Sequence, residues 1–117
     1  MREENEVKFF RKKRPLGNGE EDYILTEAVI GSGKRLLNFV AIQLYRPQER
    51  DYQIKKHDFS HGIYNVHKYY ERLDSREEIP EERLTMDLFK RCKMDIVENW
   101  FDCRERYRKK YILRRTQ

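Results

Sequence analysis

The sequence of 117 residues predicts one α+β domain, with a three- or four-stranded antiparallel sheet packed against one long C-terminal helix. Two observations predict this fold. Residues 22–70 contain β-branched and aromatic runs separated by glycine and proline turns. Residues 80–114 contain apolar side chains at helical spacing. Residues 1–20 are basic and then rich in turn residues, so we expect a separate N-terminal segment and loop.

The strands follow one another in a simple order. Residues 23–30 predict a first strand before a glycine turn, with a short helix as the alternative, and residues 35–45 predict the clearest strand. The side chains of residues 35–45 are mostly apolar on both sides, which is typical of a central strand covered on both faces. Residues 51–59 and 62–70 then predict a polar hairpin.

A long amphipathic helix follows an acidic linker at residues 71–82, where Pro80 suits a first helical turn. Apolar side chains then recur at steps of three or four residues, the period of a helix. They are Phe89, Cys92, Ile96, Trp100, Cys103, Tyr107 and Tyr111. A helix of about 30 residues is roughly 45 Å long, so its last turns should extend past the sheet. We expect a homodimer to cover them, or else residues 1–14 folded back over the exposed face.

Basic residues are concentrated at the two ends of the chain. Residues 8–14 carry five cations and no acid, and residues 104–117 carry seven cations and one acid. If the two ends converge they would attract phosphates, whereas the alternative is two solvated tails. We expect nucleic acid as a partner, RNA rather than DNA. The candidate nucleic-acid-binding residues are Arg11, Lys12, Lys13, Arg14, Arg108, Lys109 and Lys110.

The apolar content indicates a cytoplasmic protein without a membrane partner. The chain has no run of about 18 apolar residues, the length that predicts a transmembrane helix. Its N-terminus has no apolar stretch like that of a signal peptide. Cys92 and Cys103 would lie roughly 16 Å apart on the helix, too far for a disulfide. We therefore expect two small, buried thiols in a reducing compartment.

Residues 31–34, Gly-Ser-Gly-Lys, are similar to the end of a phosphate-binding loop, but the rest of that motif is missing. Ala28 stands where the loop needs its first glycine, and Arg35 stands where it needs the hydroxyl that binds magnesium. We therefore interpret this segment as a glycine-rich hairpin turn.

All three histidines lie within residues 56–70, beside Asp58. Histidine can serve as an acid, a base or a metal ligand near neutral pH. His57 and Asp58 are adjacent on a predicted strand, so they should point to opposite faces and cannot easily share one ion. The alternative is that these histidines are simply exposed side chains of a hairpin.

The expected register of this hairpin separates the other polar residues. It pairs Asp58 with Ile63 and Ile54 with His67. Asp58 and His67 then share a face about 13 Å apart, and His61 lies nearer to Asp58. A compact metal site would need a contribution from another element, so we expect neither a metal ion nor a cofactor.

These residue types allow one class of enzyme, a metal-independent ribonuclease. Such an enzyme needs a general base, a general acid and cations around the scissile phosphate. The candidate catalytic residues are Asp58, His61 and His67. The alternative for Asp58 is a purely local role, in which its carboxylate accepts backbone N–H groups in a tight turn.

Two short motifs carry a resemblance to known proteins. Residues 58–67 contain Asp-x-Ser-His-Gly-x-x-x-x-His, and residues 95–100 contain Asp-Ile-x-x-Asn-Trp. Both resemble a group of small uncharacterised prokaryotic proteins, and the first is more distantly similar to TumE-like toxins of toxin–antitoxin pairs. The resemblance implies a site of Asp58, His61 and His67, with Asn99 and Trp100 added from the helix. It also implies an antitoxin-like protein as a partner.

Two classes of function therefore remain open. One is a small nucleic-acid-interacting protein, in the form of a toxin-like, metal-independent ribonuclease. The other is a non-enzymatic domain that forms oligomers or binds another protein. The basic ends favour the first class, and the lack of a complete catalytic set favours the second.

Overall fold

The computed structural model describes residues 6–113, which form a six-stranded antiparallel sheet with a long helix across one face. The strands pair in chain order and are β1 (Lys8–Pro15), β2 (Asp22–Ile30), β3 (Leu36–Tyr45), β4 (Tyr52–Ser60), β5 (Ile63–Lys68) and β6 (Glu77–Ile79). The helix α1 (Met86–Tyr107) follows and continues into a π-helical turn, Arg108–Ile112. A 3₁₀ turn, Ser32–Lys34, connects β2 to β3.

The α+β class is confirmed, but the expected number of strands is wrong. The two additional strands form the edges of the sheet: β1 lies in the segment expected to be a basic arm and loop, and β6 lies in the expected acidic linker. Every residue of β1 is exposed, so its sequence lacks the alternation of apolar and polar residues by which half-buried strands are recognised. β6 is only three residues long.

The central strand lies close to its predicted position, but only one of its faces is covered by α1. Phe39 and Ala41 are buried on the helix side. Val40 and Ile42 alternate with them and lie half-buried on the other face. We call this second side the open face of the sheet.

The helix begins later than predicted. It begins at Met86, where the side-chain oxygen of Thr85 accepts a hydrogen bond of 3.0 Å from the backbone N–H of Leu88. A threonine cap of this kind satisfies one of the free N–H groups of the first turn, and Pro80 instead lies in the turn after β6. The regular helix ends at Tyr107, and residue 114, the predicted end, lies outside the described residues.

The core has two parts, one under each half of the helix. Under the first half, the rings of Phe39 and Phe89 stack at 4.9 Å, and Ile96 is fully buried. Under the second half, the buried residues are Tyr45, Ile54, Tyr70, Cys103 and Tyr107. Tyr107 was expected to extend past the sheet, and this expectation is wrong because the second cluster buries it.

Cys92 and Cys103 are both free and buried, as predicted. Of the helices within residues 6–113, none is both long and apolar enough to cross a membrane.

A bulge in β4 determines which side chains reach the helix. Gln43 pairs with Lys55 and Leu44 pairs with Gln53, so Ile54 is an extra residue in β4. Because of this extra residue, Ile54 and Lys55 both point toward α1: Ile54 joins the second cluster, and Lys55 contacts Asp95 of the helix.

We predict that Gly17→Ala lowers the free energy of unfolding by roughly 1–3 kcal/mol. Gly17 has φ +70°, and an added Cβ would lie 2.6 Å from Cζ2 of Trp100. The substitution therefore combines backbone strain with a clash. The urea midpoint measures the loss. Gly19→Ala is the matched control in the same loop, since nothing lies within 4 Å of its added Cβ. Equal midpoints for the two variants would contradict the prediction.

Candidate functional site

The β4–β5 hairpin has a two-residue turn at His61 and Gly62. Both residues have positive φ, +54° and +76°, as a type I′ turn requires. Ser60 therefore pairs with Ile63, and Asp58 pairs with Asn65. The expected register, in which Asp58 pairs with Ile63, is wrong by two residues.

The observed register brings Asp58 and His67 into contact instead of leaving them about 13 Å apart. Nε2 of His67 lies 3.1 Å from Oδ2 of Asp58, and Nδ1 lies 3.0 Å from the carbonyl oxygen of Ser75. Asn65 donates to the other oxygen of Asp58 at 3.1 Å, and the ammonium of Lys56 lies 3.6 Å from that carboxylate. The result is a histidine–carboxylate pair, with a cation beside it, on the open face.

This pair is partly shielded from water. The side chains of Asp58 and His67 are each 15% exposed, and the ring of Tyr69 stacks on His67 at 5.6 Å. Both ring nitrogens of His67 face oxygen atoms, so a ligand must replace one of these contacts to exchange a proton with the ring.

His61 is not part of this pair. It is exposed at the turn and lines a cleft of about 510 Å³ together with Asn38 and Pro80. The four strand positions from Ile63 to His67 span roughly 13 Å, so the two histidines lie at opposite ends of β5. The structure thus brings together two of the three candidate catalytic residues and leaves the third at the hairpin tip.

His57 forms a second polar network on the opposite face of the hairpin, as its alternation with Asp58 predicts. Its Nδ1 lies 2.7 Å from the hydroxyl of Tyr64, and its Nε2 lies 2.8 Å from Oδ2 of Asp95. The ammonium of Lys55 lies 2.5 Å from the same oxygen of Asp95. We call these residues, together with Cys92, the His57 network.

One orientation of the hydrogen atoms satisfies every bond of the network. The Cys92 thiol donates to the Tyr64 oxygen at 3.4 Å, the Tyr64 hydroxyl donates to Nδ1 of His57, and Nε2–H of His57 donates to Asp95. Burial raises the pKa of the Cys92 thiol to about 11 and also raises the pKa of Tyr64. Neither group is therefore a nucleophile at neutral pH, and the network joins the helix to the sheet.

Asp95 supplies the negative charge of this network. Burial raises the pKa of Asp95, but hydrogen bonds from His57 and Lys55 outweigh burial and hold the pKa well below its ordinary value of 3.8. Asn99 donates to the second carboxylate oxygen at 3.0 Å. The Asp-Ile-x-x-Asn-Trp motif at residues 95–100 contains this carboxylate, but the sequence does not show that Lys55 and His57 bind it.

Four cations from β1 and α1 form a cationic patch, which we define as Lys12, Arg14, Lys90 and Lys93. Lys12 and Arg14 lie on the helix side of β1, because their partners Thr26 and Ile24 lie on the same side of β2 as the core.

The other three cations of the patch lie close enough to Lys93 to repel its ammonium. Partial burial lowers the pKa of Lys93, and the positive charges of Arg14, Lys90 and Lys12 lower it further. Within residues 6–113, no salt bridge joins any of the four to a carboxylate. Lys90 and Lys93 were missed from the sequence because they lie inside an ordinary amphipathic helix.

The other predicted nucleic-acid-binding residues lie elsewhere. Arg11 and Lys13 are on the open face, where Arg11 pairs with Glu27 at 3.4 Å and Lys13 lies over the ring of Tyr23. Arg108 pairs with Glu105, Lys110 donates to the carbonyl oxygen of Glu71, and Lys109 is exposed. Within the described residues, Lys12 and Arg14 of β1 therefore lie near Lys93 of α1, and much of the basic C-terminal part is engaged with acidic residues.

Comparison with protein-family models, with curated proteins and with solved structures finds no match. Across residues 6–113, no group of three or more His, Cys, Asp or Glu side chains could hold a metal ion.

We predict that Asp95→Asn lowers the free energy of unfolding at neutral pH by about 3 kcal/mol, because it leaves the buried ammonium of Lys55 without a counter-ion and replaces the charged acceptor of the His57 hydrogen bond with a neutral amide. The folded-state pKa of Asp95 lies below 3.8, so its contribution is fully present above that pH and is lost as the pH falls further. Stability measured against pH should therefore fall less steeply in acid for Asp95→Asn than for the wild type.

Asp102→Asn is the control for this experiment, because Asp102 is exposed on the same helix. It should leave both the stability and its dependence on pH close to those of the wild type. A wild-type acid profile in the Asp95→Asn variant would show that the carboxylate does not support the network.

Proposed function

We propose that this protein binds nucleic acid through the cationic patch. The observation that supports the proposal is the pattern of charge. Three cations from two elements lie close enough to Lys93 to lower its pKa, and no described carboxylate forms a salt bridge with any of the four. Repulsion among like charges disfavours this arrangement, and a polyanion relieves it. Phosphates along a nucleic acid chain meet several cations at once and release their counterions on binding.

The substitution Lys12→Gln combined with Arg14→Gln tests this proposal. We predict a lower affinity for RNA and a shallower dependence of affinity on salt, by about 0.7 in the log–log slope for each phosphate that the variant no longer neutralises. Fluorescence anisotropy titrations over a range of salt concentrations measure both quantities.

Arg11→Gln combined with Lys13→Gln is the matched control. It removes the same charge from the same strand, but from the open face. This control variant should retain most of the wild-type affinity and most of the wild-type salt slope. An equal reduction in both double variants would indicate a general effect of net charge and would contradict a role for the patch.

We propose RNA cleavage without a metal ion as a second function, supported by the pair of Asp58 and His67. In this reaction Asp58 accepts the proton of a ribose 2′-hydroxyl while the 2′-oxygen attacks the adjacent phosphorus and the bond to the 5′-oxygen breaks. His67 donates a proton to the departing 5′-oxygen, and Lys56 stabilises the negative charge that develops. The products are a 2′,3′-cyclic phosphate and a 5′-hydroxyl. DNA lacks the attacking hydroxyl, so the proposal favours RNA.

We predict that His67→Gln and Asp58→Asn each lower the rate of RNA cleavage roughly 10²- to 10⁴-fold, the usual contribution of a general acid or base. The assay follows a labelled oligoribonucleotide in the presence of a chelator. His61→Gln is the control, since His61 lies at the hairpin tip and should leave the rate unchanged. Cleavage that requires an added divalent metal, or that survives both substitutions, would exclude this mechanism.

A further inference from the structure

A pocket of about 620 Å³ continues the cationic patch along the same two elements. Phe10 of β1, Ile30 of β2 and Met86 of α1 form its apolar wall, and the turn at residues 31–34 closes one end. Phe10 shares a face of β1 with Lys12 and Arg14, two and four residues later. Met86 shares a side of α1 with Lys90 and Lys93.

The wall of this pocket holds apolar surface in contact with water. Phe10 is 53% exposed and Met86 is 42% exposed. Exposed apolar area is unfavourable at roughly 25 cal/mol per Å², and the volume lies within the range of about 300–1,000 Å³ typical of small-ligand sites. A flat, largely apolar ligand group would therefore be stabilised against Phe10.

Charged side chains stand at the rim. Lys8 lines the pocket from β1, Lys34 lines it from the turn, and the carboxylate-bearing Glu6 lines it as well. Gly33 and Lys34 both have positive φ, +69° and +60°, so a tight turn in the left-handed region presents Lys34 at this edge. The Gly-Ser-Gly-Lys turn thus lacks the phosphate-loop motif but places a lysine beside an apolar pocket.

We infer that this pocket binds one unpaired base of a single-stranded nucleic acid whose backbone follows the cationic patch. The base stacks on Phe10 and packs against Ile30 and Met86, while Lys8 and Lys34 contact the neighbouring phosphates. A duplex keeps its bases stacked and paired inside the helix, so it cannot fill the pocket. The protein therefore selects single strands over duplexes. This inference rests on the proposed nucleic-acid binding and adds the class of ligand.

The test compares a fluorescent single-stranded oligoribonucleotide with the blunt duplex of the same length, by anisotropy at one salt concentration. The wild type should bind the single strand more tightly. Phe10→Ala should weaken single-strand binding on the order of 5- to 150-fold, the value of one stacked base, and leave duplex binding unchanged. Phe10→Tyr keeps the ring and should retain the preference.

Phe9→Ala is the matched control, because Phe9 is the neighbouring residue, is 63% exposed and lies on the opposite face of β1. It should leave both affinities unchanged. If Phe10→Ala weakens the binding of single strand and duplex equally, or if Phe9→Ala weakens single-strand binding as much as Phe10→Ala does, the proposed base pocket is wrong. The proposed binding by the cationic patch would not be affected by either result. A wild-type protein that binds neither probe would overturn the patch and the pocket together.

Discussion

The contact of Asp95 with Lys55 and His57 fixes how the helix lies on the sheet. Lys55 reaches Asp95 only because the bulge at Ile54 turns an additional side chain of β4 toward α1. Sliding α1 along the sheet would leave two buried cationic or polar groups without their carboxylate, at a cost of several kcal/mol. Together with the apolar clusters under both halves of the helix, this attachment positions Lys90 and Lys93 for the cationic patch.

The charges of β1 have a second consequence, at the edge of the sheet. An exposed edge strand of eight residues offers free backbone groups to any other strand. Two copies of β1 paired in antiparallel fashion would bring lysines and arginines within about 5 Å of one another, which is destabilising. The cations therefore protect this edge from self-pairing. The same spacing that places Arg11 and Lys13 on the open face places Lys12 and Arg14 in the patch.

Periodicity was sufficient to predict the elements that bury one side. The strands β2 and β3, both arms of the hairpin and the apolar stripe of α1 all follow from it. Periodicity did not predict the hairpin register, because a two-residue turn fits either at residues 60–61 or at residues 61–62. Moving the turn from one position to the other changes the partner of every residue by two positions. Gly62 held the missing signal, since the second position of a type I′ turn requires positive φ. The patch combines side chains of β1 and α1, which are far apart in sequence, and no local pattern reports such an arrangement.

The patch and the pair of Asp58 and His67 lie on opposite faces of one sheet, so a nucleic acid chain that reaches both must cross an edge of the sheet, and the edge at β1 lies beside the patch. The cross-strand pairing supplies a path beyond that edge. From β1, one row of paired residues crosses the open face through Leu25, Ile42, Lys56 and His67. Four strand spacings separate β1 from β5 by roughly 19 Å, a distance that an extended single strand can follow along the sheet. The proposed selection of single strands in the pocket and the proposed cleavage on the open face are therefore compatible with one ligand, an extended single strand.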